Sequence, residues 1–387
     1  MSRNVSVFCR LMSRLQIKRG TVNPHYRKIA ILGTVGVPAC YGGFETLAEN
    51  LVRSNNALGK PYHITVYCSS KEYQDLEPEF MGARLKYISL PANGKESILY
   101  DFWSLVSTLC SDVDIILLLG VSGTIALPLV RLLSRKKIVT NIDGIEWRRQ
   151  KWQGFAKKFL KFSERLAIRY SHEIITDNKA IQDYVKAEYQ ADSHVIAYGG
   201  DHAVATDMAS VEEYGLPTDF SFSVCRIEPE NNVHMILEAF AQNPSKPLVF
   251  VGNWNYSAYG KNLRSKYSDC EHLRLLDPIY DSGKLASLRS AARFYLHGHS
   301  AGGTNPSLVE AMHFGRPILA FDCDFNRYTT GEKARYFKTA EQILLLMESM
   351  TAEESGSIGK AMREIAAKEY TWKVIAKKYF DLLASCQ

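Results

Sequence analysis

Short β-branched runs and amphipathic runs alternate along this chain, and the alternation occurs twice. In the first half the strand-like runs are 28–32, 63–68, 84–90, 114–119, 137–142, 173–176 and 194–197. Between them apolar residues recur at helical spacing over 44–58, 96–110, 124–133, 154–171 and 179–188. Such alternation predicts a parallel sheet with helices on both faces, since each parallel connection must cross over the sheet and cover it. The stretch 199–219 breaks the pattern, being rich in Gly, Asp, Ala and Thr and carrying Pro217. Strands then restart at 222–226, 247–251, 273–276, 294–297 and 318–321. Helices are expected at 232–241, 263–267, 282–290 and 306–314, and helical segments close the chain, the last over 372–385. The expected fold is α/β, two Rossmann-like domains facing a central cleft. Its parts are a basic, disordered leader over 1–27, an N-terminal domain over 28–200, a linker over 201–219 and a C-terminal domain over 220–370. A terminal helix over 371–387 is expected to pack back on the N-terminal domain.

The 387 residues suffice for two such domains, and 46% hydrophobic residues give each a core. The net charge of +6 is small but unevenly placed. Residues 1–28 hold Arg3, Arg10, Arg14, Lys18, Arg19, Arg27 and Lys28 and no acid, and a second basic run spans 148–169. No nucleic-acid motif accompanies these charges, so an anionic membrane surface or a phosphate-bearing acceptor is the better partner. The leader reads either as unordered chain or as a membrane-surface helix. Eight cysteines are scattered singly, with no metal-ligand spacing, which indicates a reducing, cytoplasmic compartment. No apolar run approaches the roughly 20 residues that cross a bilayer.

Gly33-Thr-Val-Gly36-Val-Pro-Ala-Cys-Tyr-Gly42-Gly43 follows the first strand and opens a helix. Glycines there let backbone N–H groups approach an anion, or simply make a tight turn against the sheet. The spacing is not Gly-x-Gly-x-x-Gly, and the second strand ends Tyr67-Cys-Ser-Ser70 without the acid that would hold a dinucleotide ribose. In the second half Arg226 stands just beyond a strand end, placed for phosphate oxygens or for pairing with Glu228 or Glu230. Gly302-Gly303-Thr304-Asn305-Pro306 opens the helix that carries Glu310. Pro306 fits the first helical turn and Thr304 or Asn305 fits the cap. Glu310 is placed either for ribose hydroxyls or as a complement to the helix dipole.

These segments resemble the retaining GT-B glycosyltransferases of family four. The carriers are Ile31-Leu-Gly-Thr-Val-Gly-Val-Pro-Ala-Cys-Tyr-Gly-Gly-Phe-Glu45, Asn141-Ile-Asp-Gly-Ile-Glu-Trp-Arg-Arg149, Arg226-Ile-Glu-Pro-Glu-Asn-Asn232 and Gly302-Gly-Thr-Asn-Pro-Ser-Leu-Val-Glu-Ala-Met312. The first half resembles bacterial rhamnosyltransferases of capsule and O-antigen assembly. The resemblance implies a metal-independent transferase without a cofactor. Its donor is a nucleoside-diphosphate sugar, dTDP-rhamnose or a UDP- or GDP-sugar. Its acceptor is a lipid-diphosphate-linked saccharide, and the enzyme works at the inner face of the cell membrane. Donor-binding residues are then Gly36, Gly42, Gly43, Arg226, Lys261, Gly303, Thr304, Asn305 and Glu310, with Asp143 and Arg226 as the catalytic pair. Two positions depart from the family. A Glu that touches the transferred sugar is replaced by Gly302, and a Lys five residues after the phosphate-binding Arg is replaced by Asn231; Lys261 is the candidate to restore that charge.

Asp143 lies just past a strand end, where an Asp-Gly turn is the alternative role. On the following helix Phe155, Phe159, Phe162 and Leu166 recur at helical spacing beside a stripe of Lys157, Lys161, Arg165 and Arg169. This is either a solvated basic face or, with Glu146, Arg148 and Arg149, a surface for the acceptor or for anionic lipid. Three rival functions stay open: a metal-dependent transferase using Asp322-Cys-Asp324 or Asp112-Val-Asp114, a sugar-nucleotide epimerase of the same two-domain build, and a non-catalytic partner in polysaccharide assembly.

Overall fold

The computed structural model describes residues 27–40, 42–142, 144–148, 153–204 and 207–386. The first sheet carries strands β1 (Arg27–Leu32), β2 (Tyr62–Ser69), β3 (Glu79–Phe80), β4 (Ala83–Ile88), β5 (Ile115–Leu119), β6 (Lys137–Ile142), β7 (Glu173–Thr176) and β8 (His194–Val195). Its helices are α1 (Gly43–Ala57), α2 (Ser97–Ser107), α3 (Leu127–Leu133), α4 (Gly154–Tyr170) and α5 (Lys179–Tyr189). The second sheet carries β9 (Ser221–Val224), β10 (Leu248–Val251), β11 (Leu273–Leu276), β12 (Phe294–His297), β13 (Ile318–Phe321) and β14 (Arg335–Phe337). Around it lie α6 (Val233–Ala241), α7 (Ala258–Lys266), α8 (Ser282–Ala291), α9 (Pro306–His313), α10 (Asp324–Thr329), α11 (Ala340–Ser349), α12 (Ala352–Glu369) and α13 (Trp372–Ser385).

Strand order is β3-β4-β2-β1-β5-β6-β7-β8 in the first sheet and β11-β10-β9-β12-β13-β14 in the second. Pairing is parallel except between β3 and β4. The chain reverses its direction of travel across the sheet between β1 and β5, and again between β9 and β12. Those two switch points are where an open parallel sheet leaves a crevice for ligands. Central strands are buried on both faces, as Ile115–Leu119 and Leu248–Val251 show, which is why they read as unbroken apolar runs.

Several elements differ from the sequence reading. The 96–110 helix is α2 flanked by short 3-10 turns, and α7 begins at Ala258 because Ser257 caps it through the Gly260 N–H. Strands β3 and β14 sit at sheet edges, where two- or three-residue strands leave little periodicity to read.

The terminal helix crosses back to the first domain. Phe380 stacks on Tyr62 with ring centroids 5.0 Å apart, Asn141 Nδ2 donates to the Tyr379 hydroxyl at 2.6 Å, and Arg27 donates to the carbonyls of Leu383 and Cys386. Buried residues of both domains, Tyr198 and Trp372 among them, form one contiguous apolar cluster. The two sheets are therefore joined by packed side chains as well as by the connecting chain.

Candidate active site

The loop after β1 is fastened from within. Glu45, buried at the start of α1, accepts from the Thr34 hydroxyl at 3.2 Å and the Val35 N–H at 3.0 Å. Glu49 accepts from the Ala39 N–H, and the Gly36 N–H is directed at the Thr34 hydroxyl. Gly36 has φ 138°, and a Cβ there would meet Cys68 and Tyr73. Gly36 thus shapes the loop and packs it on β2. Its N–H, the group expected to face a donor anion, lies 3.4 Å from the Thr34 hydroxyl. Gly42 and Gly43, at the start of α1, remain at the cleft. Gly43 lies against Tyr198 and Pro306, so the amino end of α1 faces the amino end of α9 across the domain seam.

Asn305 is the cap of α9, its side chain accepting from the Ser307 N–H, and Pro306 follows in the first turn. Two helix amino ends that face each other concentrate partial positive charge on one spot. The spot already contains an anion of the chain itself. Asp177, just past β7, accepts from the Thr304 N–H at 3.0 Å, and its backbone carbonyl accepts from the Thr304 hydroxyl at 2.6 Å. Asn178 donates to the same hydroxyl at 3.2 Å. A Cβ on Gly303 would run into the Asp177 carboxylate. Thr304 and Gly303 therefore stand at the start of α9, with an aspartate of the other domain in contact.

Arg226 follows β9 with its side chain exposed, at the second switch point. Lys261 is exposed on α7, next to Gly260, which packs on Ile227. Arg226 and Lys261 are thus placed on neighbouring elements. Glu310 lies deeper than the sequence suggests. Arg289 donates to its Oε2, and Trp372 Nε1–H donates to His202 Nδ1 at 2.9 Å. The His202 ring proton then sits on Nε2, which faces Glu310 Oε1 at 3.3 Å. Burial pushes the Glu310 carboxyl upward, but the Arg289 charge and the contacts of His202 outweigh it, and the net displacement is below the usual carboxylate value.

The catalytic candidate Asp143 and the acceptor candidate Arg149 lie outside the described residues. Gly144, next to Asp143, has φ 68°, and a Cβ there would approach the Gly302 Cα to 2.9 Å. Two glycines from opposite domains thus meet at the lip of the cleft.

Helix α4 overturns the expected apolar face. It buries Leu160, Ser163, Glu164 and Ala167, while Phe155 is 82% and Phe162 51% exposed. The reason is a buried acid. Glu164 accepts from the hydroxyls of Tyr184 and Tyr189, at 2.6 Å each, and this network sets which side of α4 faces inward. Lys157 and Lys161 lie over the Trp147 ring at 5.5 and 4.7 Å, and Arg148 lies over Trp147 and Tyr184. Lys161 also pairs with Glu188 at 2.8 Å. Lys158, Lys161, Phe162 and Arg165 line a surface cavity of about 480 Å³ together with Glu188 and Tyr189. Glu146 begins the short turn that leads into this face.

The Asp-x-Asp runs have structural partners. Asp322 is paired with Arg327 and Lys338, Asp112 with Lys28, and Asp114 accepts from the Lys28 N–H. Among the described residues no group of three or more His, Cys, Asp or Glu side chains is arranged to hold a metal ion, and no helix is long and apolar enough to cross a membrane.

Two α/β domains of this topology, with their switch points facing one cleft, make the GT-B fold. Residues 212–353 match the family described as "Glycosyl transferases group 1", and residues 26–201 match "Domain of unknown function (DUF1972)". The chain is a glycosyltransferase that takes its sugar from a nucleotide sugar. Solved structures agree on the fold over nearly the whole length. Sucrose-phosphate synthase from Thermosynechococcus elongatus is 15% identical with a TM-score of 0.76, covering 92% of this chain and 98% of its own. The α,α-trehalose 6-phosphate synthase of Burkholderia multivorans is 11% identical, TM-score 0.72, with 93% and 97% covered. Anabaena HepE, solved in complex with UDP and glucose, is 16% identical, TM-score 0.67, with 93% and 100% covered. No curated protein matches the sequence.

Proposed function

We propose that this enzyme moves a hexose, L-rhamnose first among the choices, from a nucleoside-diphosphate sugar to a lipid-diphosphate-linked saccharide. The reaction retains configuration and serves bacterial surface polysaccharide, O-antigen or capsule. The observation that carries the donor half is the meeting of two helix starts, at Gly43 and Pro306, with Arg226 exposed just past β9 at the second switch point. The bound UDP of HepE, a protein of the same fold, supports a nucleoside diphosphate in that cleft. The choice of rhamnose rests on the resemblance of the first-half motifs alone.

As the sugar–phosphate bond breaks, negative charge grows on the leaving diphosphate. Arg226, Lys261 and the donors at Gly42, Gly43, Gly303, Thr304 and Asn305 stabilise it. Diphosphate oxygens compete with Asp177 for Thr304, so donor binding is linked to release of that interdomain contact. Glu310 keeps lone pairs beyond those used by Arg289 and His202, and these accept from ribose hydroxyls. Asp143 orients the acceptor at the lip. The acceptor's lipid end is served by α4, where exposed Phe155 and Phe162 stand among Lys157, Lys161 and Arg165 at a peripheral membrane surface.

The test is a thermal-shift and transfer panel of dTDP-rhamnose, UDP-glucose and GDP-mannose, with Arg226→Ala as the control. One donor should raise the unfolding temperature, and the variant should lose transfer by about 100-fold, since removing a transition-state donor costs that much. Near-normal transfer by Arg226→Ala refutes the assignment.

A further inference from the structure

Asp101 is a buried acid with no part in donor binding. Helix α2 carries it over the carboxyl ends of β1 and β5, the first switch point. The hydroxyl of its neighbour Tyr100 donates between the carbonyls of Thr34 and Tyr67, 3.0 Å from each, and the Ser122 hydroxyl, just past β5, donates to Asp101 Oδ2. Glycines let these segments close on one another. A Cβ on Gly33 would run into the Leu119 carbonyl, and one on Gly123 into Asp101 itself. One on Gly120 would come within 3.3 Å of the Phe44 ring, next to the Gly43 that lies against Pro306. The Gly120 N–H donates to the Asn141 carbonyl at 2.9 Å, so the loops after β5 and β6 leave the sheet side by side. Asp101 is only 5% exposed, whereas Ser122 is half-buried. Ser122 spends its one proton on Asp101, so what its oxygen offers a ligand is lone pairs. Among the described residues no cation pairs with Asp101, and burial raises its carboxyl to about 7, where a group both takes and releases a proton near neutrality. A Ser–Asn pair would make the same hydrogen bond without burying a charge, so fastening α2 to the β5 loop does not by itself require an acid.

We propose that Ser122 and Asp101 form a relay that takes the proton of the acceptor's attacking hydroxyl. Ser122 Oγ accepts from that hydroxyl and is the catalytic residue of the two. Asp101 acts through it, as the positioning residue and the final holder of the proton. The hydroxyl oxygen bonds to the anomeric carbon as that carbon's bond to the diphosphate oxygen breaks, and the electron pair leaves with the nucleoside diphosphate. In the same step the hydroxyl proton passes to Ser122 Oγ while Ser122's own proton passes to the Asp101 carboxylate. Asp101 afterwards returns it through Ser122 to water, so no co-reactant is needed. The helix starts at the seam then hold the charge that grows on the diphosphate, and the edge of β5 removes the proton from the other reactant. The inference rests on the reading of the cleft as a nucleotide-sugar site.

Calorimetry and turnover on the full chain test it. The donors are dTDP-rhamnose, UDP-glucose and GDP-mannose, the acceptors are farnesyl-diphosphate-linked N-acetylglucosamine and water, and the readout is nucleoside diphosphate released. The wild type is expected to bind one donor and turn it over. Asp101→Asn still accepts from Ser122 and should be the more stable protein at about pH 8. Its turnover should nevertheless fall about 100-fold, the scale of a lost general base, with donor affinity within about twofold of the wild type. A merely structural Asp101 predicts instead a variant as active as it is stable. Ser122→Ala should show the same split and decides the matter if Asp101→Asn does not fold. The double variant should lose no more than either single one, because the two groups act on one proton. Wild-type turnover by Asp101→Asn or by Ser122→Ala, or equal loss of turnover and donor affinity, overturns the relay. Failure of the wild type to bind any of the three donors overturns the nucleotide-sugar reading and this inference with it.

Discussion

Residue-scale chemistry here is dominated by acids held in unusual surroundings. Glu310 pairs with Arg289, itself almost wholly buried, so Arg289→Leu leaves an uncompensated carboxylate and should destabilise the chain by about 3 kcal/mol in urea unfolding. The Glu310 carboxyl titrates below its ordinary value. Its contribution is therefore present above the ordinary carboxylate pKa and is lost as pH falls through the depressed one. Stability of the wild type should drop below about pH 4, and that part of the drop should vanish in Glu310→Gln. Asp101 has the opposite sign. Burial raises its carboxyl to about 7, against a smaller lowering by the Ser122 hydroxyl. The unfolded chain gives up this proton near pH 4 and the folded chain near 7, so stability declines between them. Asp101→Asn keeps an acceptor for Ser122 and no longer titrates. It should match the wild type near pH 4 and exceed it at pH 8 by up to about 4 kcal/mol, read from denaturant midpoints.

Among the elements, α4 shows how an internal polar network redirects a face. The spacing of Phe155, Phe159, Phe162 and Leu166 reads as the inward stripe, yet Glu164 with Tyr184 and Tyr189 turns the helix so that two of those aromatics face solvent. Replacing Lys157, Lys161 and Arg165 by Gln should cut co-sedimentation with anionic vesicles by about 100-fold, at roughly 1 kcal/mol per charge. Folding stability should change little, since such surface pairs contribute ~0–1 kcal/mol. Unchanged vesicle binding removes the lipid role from α4. Helix α9 was more legible. Gly303, Asn305 and Pro306 are local signals for a capped helix start, and the structure places the cap at Asn305. Asp177, which contacts that start from 127 residues away, left no local signal beyond an Asp-Asn pair after a strand.

For the molecule as a whole, the seam between domains includes the Asp177–Thr304 contact, which the proposed donor site requires the diphosphate to displace. Asp177→Ala removes the carboxylate that competes for Thr304. It should tighten nucleoside-diphosphate binding several-fold, as a competing hydrogen bond of about 1 kcal/mol is lost. Weaker binding by this variant would mean that the aspartate holds the site open rather than fills it. Trp372 and α13 tie the far side of the seam through His202, Asp201 and Tyr62.

Alternating periods of strand and helix, with one break near 199–219, are a local property, and they determined two parallel α/β domains and the cleft between them. Capping and turn chemistry likewise determined where α9 begins, because each such signal is satisfied within a few residues. Which groups meet at the cleft is a matter of distance through space. Only the tertiary structure decided that Glu310 would be held by Arg289 and His202, that the glycine loop would close on Glu45, and that Ser122 would reach Asp101. Each of those contacts but the glycine loop's joins segments more than 20 residues apart, where sequence spacing carries no information about approach.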